Sequence, residues 1–338
     1  MSDKKKTDIL KVFAGAAIAA ASVLFIWMLS EPRFYNIPPV ILIAVIIAFI
    51  GETALLVVLR GKNILKRIIK IILLLAVNIS VFTCAVIYSF APAFILQPHS
   101  DETSYEALKT HPSAEEISFE GTNGSINGWF YNAAGRSAPT VLYFYGNYET
   151  ASTRLLQLSR NYENSAFRDC NFAVFDYPSY GKTEGRCSDD TLLAFSLDVF
   201  DKLSEITDNI IVLGYSVGTG PACYLASKRD VKALVLYAPY SNGVDLYNNV
   251  IDIFHGALEG LVSFNIENEI YASQIAEKAL VFASPSDELI PYSSSMRLSE
   301  KFDVCNFVTV QGIGHNDFLS NGEIKEKTAG FIKEVTAE

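Results

Sequence analysis

The run Gly214-Tyr215-Ser216-Val217-Gly218 constrains this chain more than any other segment, because of what flanks it. Before it stands the apolar, β-branched stretch Asn209-Ile210-Ile211-Val212-Leu213, which reads as a strand. After it, Thr219-Gly220-Pro221-Ala222-Cys223-Tyr224-Leu225-Ala226 reads as a helix. Strand, sharp turn and helix form the setting in which a G-x-S-x-G segment presents its serine as a nucleophile. In so tight a turn, side chains two residues before and after the serine would strike neighbouring backbone, and glycine has none. The pentapeptide alone is a modest signal. Its context, and two residues further along the chain, carry the reading.

The chain is not uniform along its 338 residues. The first 97 are dominated by Ile, Leu, Val, Ala and Phe, and the remainder has the composition of an ordinary soluble domain. Charge divides in the same place. Residues 1–97 hold ten Lys/Arg against four Asp/Glu, a net of +6, which leaves 17 against 33 for the remainder, a net of −16. An anionic surface repels phosphates, so nucleic acid is excluded as a partner for that remainder. Cys84 lies in an apolar run, and Cys170, Cys187, Cys223 and Cys305 are scattered without C-x-x-C spacing. Neither a zinc framework nor a disulfide scaffold is indicated, and the cysteines read as free thiols.

Three apolar stretches, at about 12–29, 39–59 and 71–90, each approach the roughly 20 residues that cross a hydrocarbon core. A cleavable signal peptide would explain the first of these but not the other two. Lys4, Lys5, Lys6 and Lys11 precede the first stretch, and Arg60, Lys62, Lys66, Arg67 and Lys70 separate the second from the third. The loop between the first and second holds only Glu31 and Arg33. The positive-inside rule then puts the N-terminus in the cytoplasm and, after three crossings, everything beyond residue 97 on the extracytoplasmic side. A buried helical hairpin in a soluble protein is the competing reading. Glu52 and Asn78 each lie eight residues from the basic loop, about 12 Å along their helices. They are expected to meet at one depth and to share a hydrogen bond.

A polar stem is expected at 98–115, followed by a domain at 116–338. Period-two patterns at 116–120 and 126–131, joined across Asn123-Gly124, signal a hairpin. Short apolar runs then alternate with amphipathic ones. Strands are expected at 140–145, 172–177, 210–215, 233–237, 279–283 and 307–311. Helices are expected at 150–161, 189–205, 217–227, 293–301 and 322–335. Such alternation argues for a parallel sheet covered on both faces. The stretch at about 240–273 has no clear strand and a helix-like part at 246–261. An insertion there would overlie the strand ends where open α/β sheets bind ligands, so it reads as a small lid.

A serine hydroxyl needs a base to take its proton and a third group to orient that base. Of the four histidines, His99 and His111 fall in the stem and His255 in the lid. His315 follows the last expected strand, among glycines at Gly312 and Gly314, where its ring can project at the same end of the sheet as Ser216. The acid is expected from Asp287, in the loop after the strand 279–283, with Glu288 and Asp317 as rivals. The order Ser216, Asp287, His315 is one of the known triad orders. An oxyanion hole requires two backbone N–H groups. Val217, at a helix N-terminus, is expected to supply one, and Asn147, in the loop after 140–145, the other.

Five segments carry a resemblance: Tyr145-Gly146-Asn147, Asp176 to Gly185, Gly214 to Gly218, Ser286 to Pro291, and Gly314 to Asp317. In this order they resemble the α/β-hydrolase superfamily. Within it they look like the membrane-anchored "alpha/beta hydrolase domain-containing" group and the serine aminopeptidase-like hydrolases. The resemblance implies an α/β-hydrolase fold, with an eight-stranded, mostly parallel sheet flanked by helices and a short lid, here preceded by a three-helix transmembrane segment. It carries the triad onto Ser216, Asp287 and His315, and it implies no metal or organic cofactor. Two departures stand out. Tyr145 replaces the usual histidine before Gly146, and Pro178-Ser179 replaces an Arg-Gly pair after Asp176-Tyr177.

Three functions follow from this reading. The first is a membrane-anchored serine hydrolase that cleaves an ester or related acyl bond, with small-molecule or lipid-like acyl substrates near the bilayer. The second is a catalytically idle hydrolase fold used as a binding module at the membrane. The third is a serine aminopeptidase.

Overall fold

The structure, a computed structural model, describes residues 95–337 without a break and isolated positions between 65 and 92. The chain divides into two units, Met1–Pro92 and Ala93–Glu338. The apolar stretches at 12–29 and 39–59 lie outside the described residues, as do Glu52, Asn78 and most of 71–90. Among the described residues no helix is long and apolar enough to cross a membrane.

The expected stem at 98–115 is corrected by the structure, since these residues belong to the folded unit. Helix α1 spans Glu102–Lys109. Its N-cap is Asp101, whose carboxylate accepts the Ser104 N–H at 3.1 Å, and an acid also occupies its first turn and a base its last. Leu108 is completely buried. Leu108, the Tyr105 ring edge-on to Trp129 and one cap anchor an octapeptide too weakly patterned to stand out by periodicity.

Eight strands form one sheet: β1 (Ala114–Gly121), β2 (Gly124–Tyr131), β3 (Thr140–Phe144), β4 (Asn171–Phe175), β5 (Ile210–Tyr215), β6 (Ala233–Tyr237), β7 (Ala279–Ala283) and β8 (Cys305–Thr309). The spatial order is β1-β2-β4-β3-β5-β6-β7-β8, with only β2 antiparallel to its neighbours. β1 and β2 make the expected hairpin, closed at Gly121 and Gly124. Every residue of β3 to β7 is buried, as befits parallel strands covered on both faces. The crossovers supply that cover: α2 (Ala151–Arg160), α3 (Asp189–Ser204), α4 (Thr219–Ala226), α5 (Gly243–Val250), α6 (Asn268–Ala272), α7 (Tyr292–Ser299) and finally α8 (Gly322–Ala337).

The strand order reverses around β3. From β3 the chain crosses to β4 on one side, and from β4 it passes back over β3 to β5 on the other. β3 and β5 are parallel neighbours, with Phe144 opposite Gly214, so the loops that leave their carboxyl ends emerge side by side. Open α/β sheets bind ligands at such a crevice. The stretch at about 240–273, expected as a lid, lies between β6 and β7. Its single expected helix is broken: α5 ends at an extended Ile251, and a 3-10 turn at Gly256–Leu261 follows.

Asp176, immediately after β4, ties this region together. Its carboxylate accepts the Ala151 N–H at the start of α2 (2.8 Å) and the Lys182 N–H (3.3 Å). Its side chain occupies the space under Gly181, where a Cβ would fall 1.9 Å from Oδ2. Burial raises its pKa to about 6, against the two N–H bonds that pull it down. The folded state therefore holds a proton that the unfolded chain releases near 3.8. The stabilisation this lends is complete below that value and is lost as pH rises through about 6. Relative to Asp176→Asn, the wild type is expected to lose about 2 kcal/mol of stability between pH 4 and 7, measured by denaturant unfolding at each pH. A difference between the two proteins that does not change with pH would contradict this.

Candidate active site

Ser216 sits at the tip of the turn after β5 with φ of 54°. A left-handed conformation costs a non-glycine residue about 1–2 kcal/mol, so the surroundings must impose it. The flanking glycines show how. A Cβ on Gly218 would lie 2.2 Å from the Phe144 carbonyl oxygen and 2.5 Å from that of Tyr145. On Gly214 it would lie 2.8 Å from both the Ala222 Cβ and the Thr219 Cα. The turn is pressed between the end of β3 and the start of α4, and the serine is lifted out of the strand. A 3-10 turn, Ser216–Gly218, leads directly into α4.

The three residues expected from the sequence to meet do so. His315 Nε2 lies 2.8 Å from Ser216 Oγ. His315 Nδ1 lies 2.8 and 3.0 Å from the two carboxylate oxygens of Asp287. Facing a carboxylate, Nδ1 carries the proton in the neutral ring, which leaves Nε2 to accept from the serine hydroxyl. The histidine and aspartate side chains are only 5% and 2% exposed, so the pair interacts with little screening by water. Asp287 is itself held in place, since Oδ1 accepts the N–H groups of Leu289 and Ile290 at 2.8 and 2.9 Å.

The rivals of Asp287 have other positions. Glu288 accepts the backbone N–H of His315 at 3.0 Å, and Asp317 accepts that of Gly314 at 3.0 Å. Glu288 is thus part of the site's frame and does not point away from it. Tyr215 was not singled out in the sequence. Its hydroxyl donates to the His315 carbonyl at 2.7 Å, and its ring stacks on the imidazole at 5.3 Å. Its place inside the serine pentapeptide, next to Ser216, was the available signal. His99, His111 and His255 contact neither Ser216 nor Asp287, and His255 lies beside Asp252 on the exposed lid.

The loop after β3 reaches Ser216. A Cβ on Gly146 would fall 3.1 Å from the Tyr215 ring and 3.6 Å from the Ser216 Cβ. Asn147 follows at once, and its side-chain oxygen is turned toward Gln97 and Tyr180. Val217 lies in the first turn of the helix, where N–H groups lack partners within the helix. Tyr145, standing where the resembling proteins have histidine, is buried and stacked on Tyr177 at 4.1 Å. The two lock reciprocally. The Tyr177 N–H donates to the Tyr145 hydroxyl (2.9 Å), and the Tyr177 hydroxyl donates to the Tyr145 carbonyl (2.7 Å). Tyrosine thus shapes the loop by hydrogen bonds from a neighbouring loop.

Known proteins share this architecture. The chain is similar to the Pyrococcus furiosus esterase Pf2001 at a TM-score of 0.56 and 16% identity, over 71% of this chain and 98% of that one. It is similar to Est1E from Butyrivibrio proteoclasticus, solved with ferulic acid bound, at a TM-score of 0.54 and 18% identity, over 66% and 100%. In sequence it matches human alpha/beta hydrolase domain-containing protein 17B at 26% identity over 201 residues, 58% of this chain. The match covers 66% of the human protein's length. The chain has the α/β-hydrolase fold, and its sequence is similar to members of that superfamily. No family model matches it. The crevice at the reversal of strand order is where the serine, the histidine and the loop after β3 converge. Among the described residues no cluster of His, Cys, Asp or Glu is arranged to hold a metal ion.

The α/β-hydrolase turn makes a direct prediction. Gly218→Ala drives a methyl group into two backbone carbonyls that no side-chain rotation relieves. Overpacking of this kind is expected to cost at least about 2 kcal/mol, read as a lowered midpoint of thermal unfolding. A variant as stable as wild type would contradict the close packing of this turn against β3.

Proposed function

We propose that this protein is a serine hydrolase that cleaves an ester or related acyl bond through an acyl-enzyme on Ser216. The 2.8 Å contact from His315 Nε2 to Ser216 Oγ, continued to Asp287, carries the reading. His315 takes the hydroxyl proton as Ser216 attacks the carbonyl carbon, and Asp287 stabilises the imidazolium that forms. The N–H groups of Val217 and Asn147 receive the developing oxyanion. His315 then returns the proton to the leaving alcohol. Water, activated by the same imidazole, attacks the acyl-enzyme and frees the acid and Ser216.

Several observations favour acyl substrates of hydrophobic character. The Pyrococcus relative is an esterase by name, and the Butyrivibrio relative binds ferulic acid. Val250, Ile251, Ile253 and Leu258 of the lid and Leu289 of the Asp287 loop are exposed apolar residues. Asn249 ties these two segments together, since its Nδ2 donates to the carbonyls of Glu288 and Leu289. The apolar N-terminal stretches and their flanking basic residues support a bilayer anchor with the hydrolase domain on the extracytoplasmic face. An idle binding module has no use for a hydroxyl, an imidazole and a carboxylate aligned at hydrogen-bond distance.

The full chain, expressed in cells, is expected to bring p-nitrophenyl ester hydrolysis into the membrane fraction, resistant to carbonate extraction. In that fraction Ser216→Ala is expected to lower kcat/KM by about 10⁴-fold or more. Full activity in a folded Ser216→Ala protein would refute the mechanism. Activity released by carbonate would refute the anchor.

A further inference from the structure

Residues 96–101 lead from the N-terminal unit into the hydrolase domain, and they run across the loop that follows β3. Leu96 is buried. The Gln97 backbone N–H donates to the side-chain oxygen of Asn147 at 2.9 Å and reaches the Tyr180 hydroxyl at 2.8 Å. The Tyr180 hydroxyl also lies 3.2 Å from the same Asn147 oxygen, so one main-chain donor and one phenol converge on it. Beyond this point the segment is pinned at both sides. The His99 carbonyl accepts the Gly181 N–H at 2.9 Å, and the His99 ring meets the edge of Tyr180 at 5.9 Å. Asp101 caps α1 and accepts from Thr153 Oγ1 of α2 at 3.3 Å.

These contacts matter because of what lies on either side of Asn147. Gly146 abuts Ser216 and Tyr215. Tyr148 is 70% exposed and held at φ 37°, a conformation its own side chain disfavours. A strained, exposed residue does not hold its neighbour's peptide in place. The Asn147 side chain, gripped from the Gln97 side, is what does.

We propose that the segment 96–101 is a strap that positions the oxyanion loop, acting through the Gln97 N–H and the Tyr180 hydroxyl on the side chain of Asn147. Gln97 and Tyr180 are positioning residues that act through Asn147. The proposal rests on the reading of the Asn147 N–H as an oxyanion donor. Loosening the strap lets the 146–147 peptide turn away from the developing charge while the Ser216–His315 contact remains. The loss therefore falls on kcat and spares KM.

Two single variants of the full chain test this. Gln97→Pro removes the N–H and puts the ring Cδ where the hydrogen pointed, pushing the Asn147 side chain away, and Tyr180→Phe removes only the hydroxyl. Each is expected to lower kcat for a p-nitrophenyl ester about tenfold, with KM changed less than about twofold. Affinity for a boronic acid, which mimics the tetrahedral intermediate, should fall in parallel with kcat. Hydrogen exchange at the amides of 146–148 should quicken in the same variants by about tenfold, a readout that does not depend on catalysis. Combined with Asn147→Leu, neither variant should lose more than Asn147→Leu alone. Unchanged exchange in both variants overturns the strap. Faster exchange with unchanged kcat and boronate affinity overturns its coupling to the oxyanion site. An inactive wild type whose loop still exchanges faster in the variants would instead overturn the hydrolase reading and leave the strap standing.

Discussion

Between Gly218 and the carbonyls of Phe144 and Tyr145 there is no room for a methyl group, and the site is arranged around that contact. It fixes the turn after β5 against the end of β3. It thereby holds Ser216 in a left-handed conformation that the chain would not adopt by itself. The same closeness brings Gly146, at the head of the next loop, to the other side of the serine. Ser216 and the loop after β3 are positioned together because two parallel strands are neighbours at the reversal of strand order.

Around that contact the frame is built mostly from main-chain hydrogen bonds to side chains. Glu288 and Tyr215 grip the backbone of His315 at its N–H and its carbonyl. Two N–H groups hold Asp287, and Tyr177 holds Tyr145 at two points. Such bonds fix backbone position directly, and each reacting side chain then needs only to occupy an ordinary rotamer. The departures from the resembling proteins fit this scheme. A phenol at position 145 accepts from Tyr177 across a stacked pair, and that loop is in turn held by the buried carboxylate of Asp176.

Much of this was legible in the sequence, for physical reasons that differ by element. β3, β5, β6 and β7 announce themselves because strands buried on both faces must be continuous apolar runs. The order of Ser216, Asp287 and His315 could be read because Ser216 and Asp287 each follow such a run and His315 follows the next strand at the same end of the sheet. At β8 the expected range, 307–311, lies two residues beyond the observed one, Cys305–Thr309. This edge strand is only partly buried and lacks a sharp apolar pattern. Helix α1 was read as a polar stem, since only Leu108 and Ser104 of its eight residues are buried. The grips of Glu288 on His315 and of Gln97 on Asn147 were not legible at all. They join main chain to side chain across 27 and 50 residues, and no local pattern encodes such a distance.

Catalysis at this site depends on whether Ser216 is a nucleophile made reactive by its neighbours. A fluorophosphonate probe followed by intact mass and peptide mapping measures this directly. The account predicts a single adduct on Ser216, formed at least about a hundredfold more slowly in Asp287→Asn because the imidazole is no longer held as a base. A folded wild-type protein that takes up no probe, or an adduct that persists in Ser216→Ala, would contradict it.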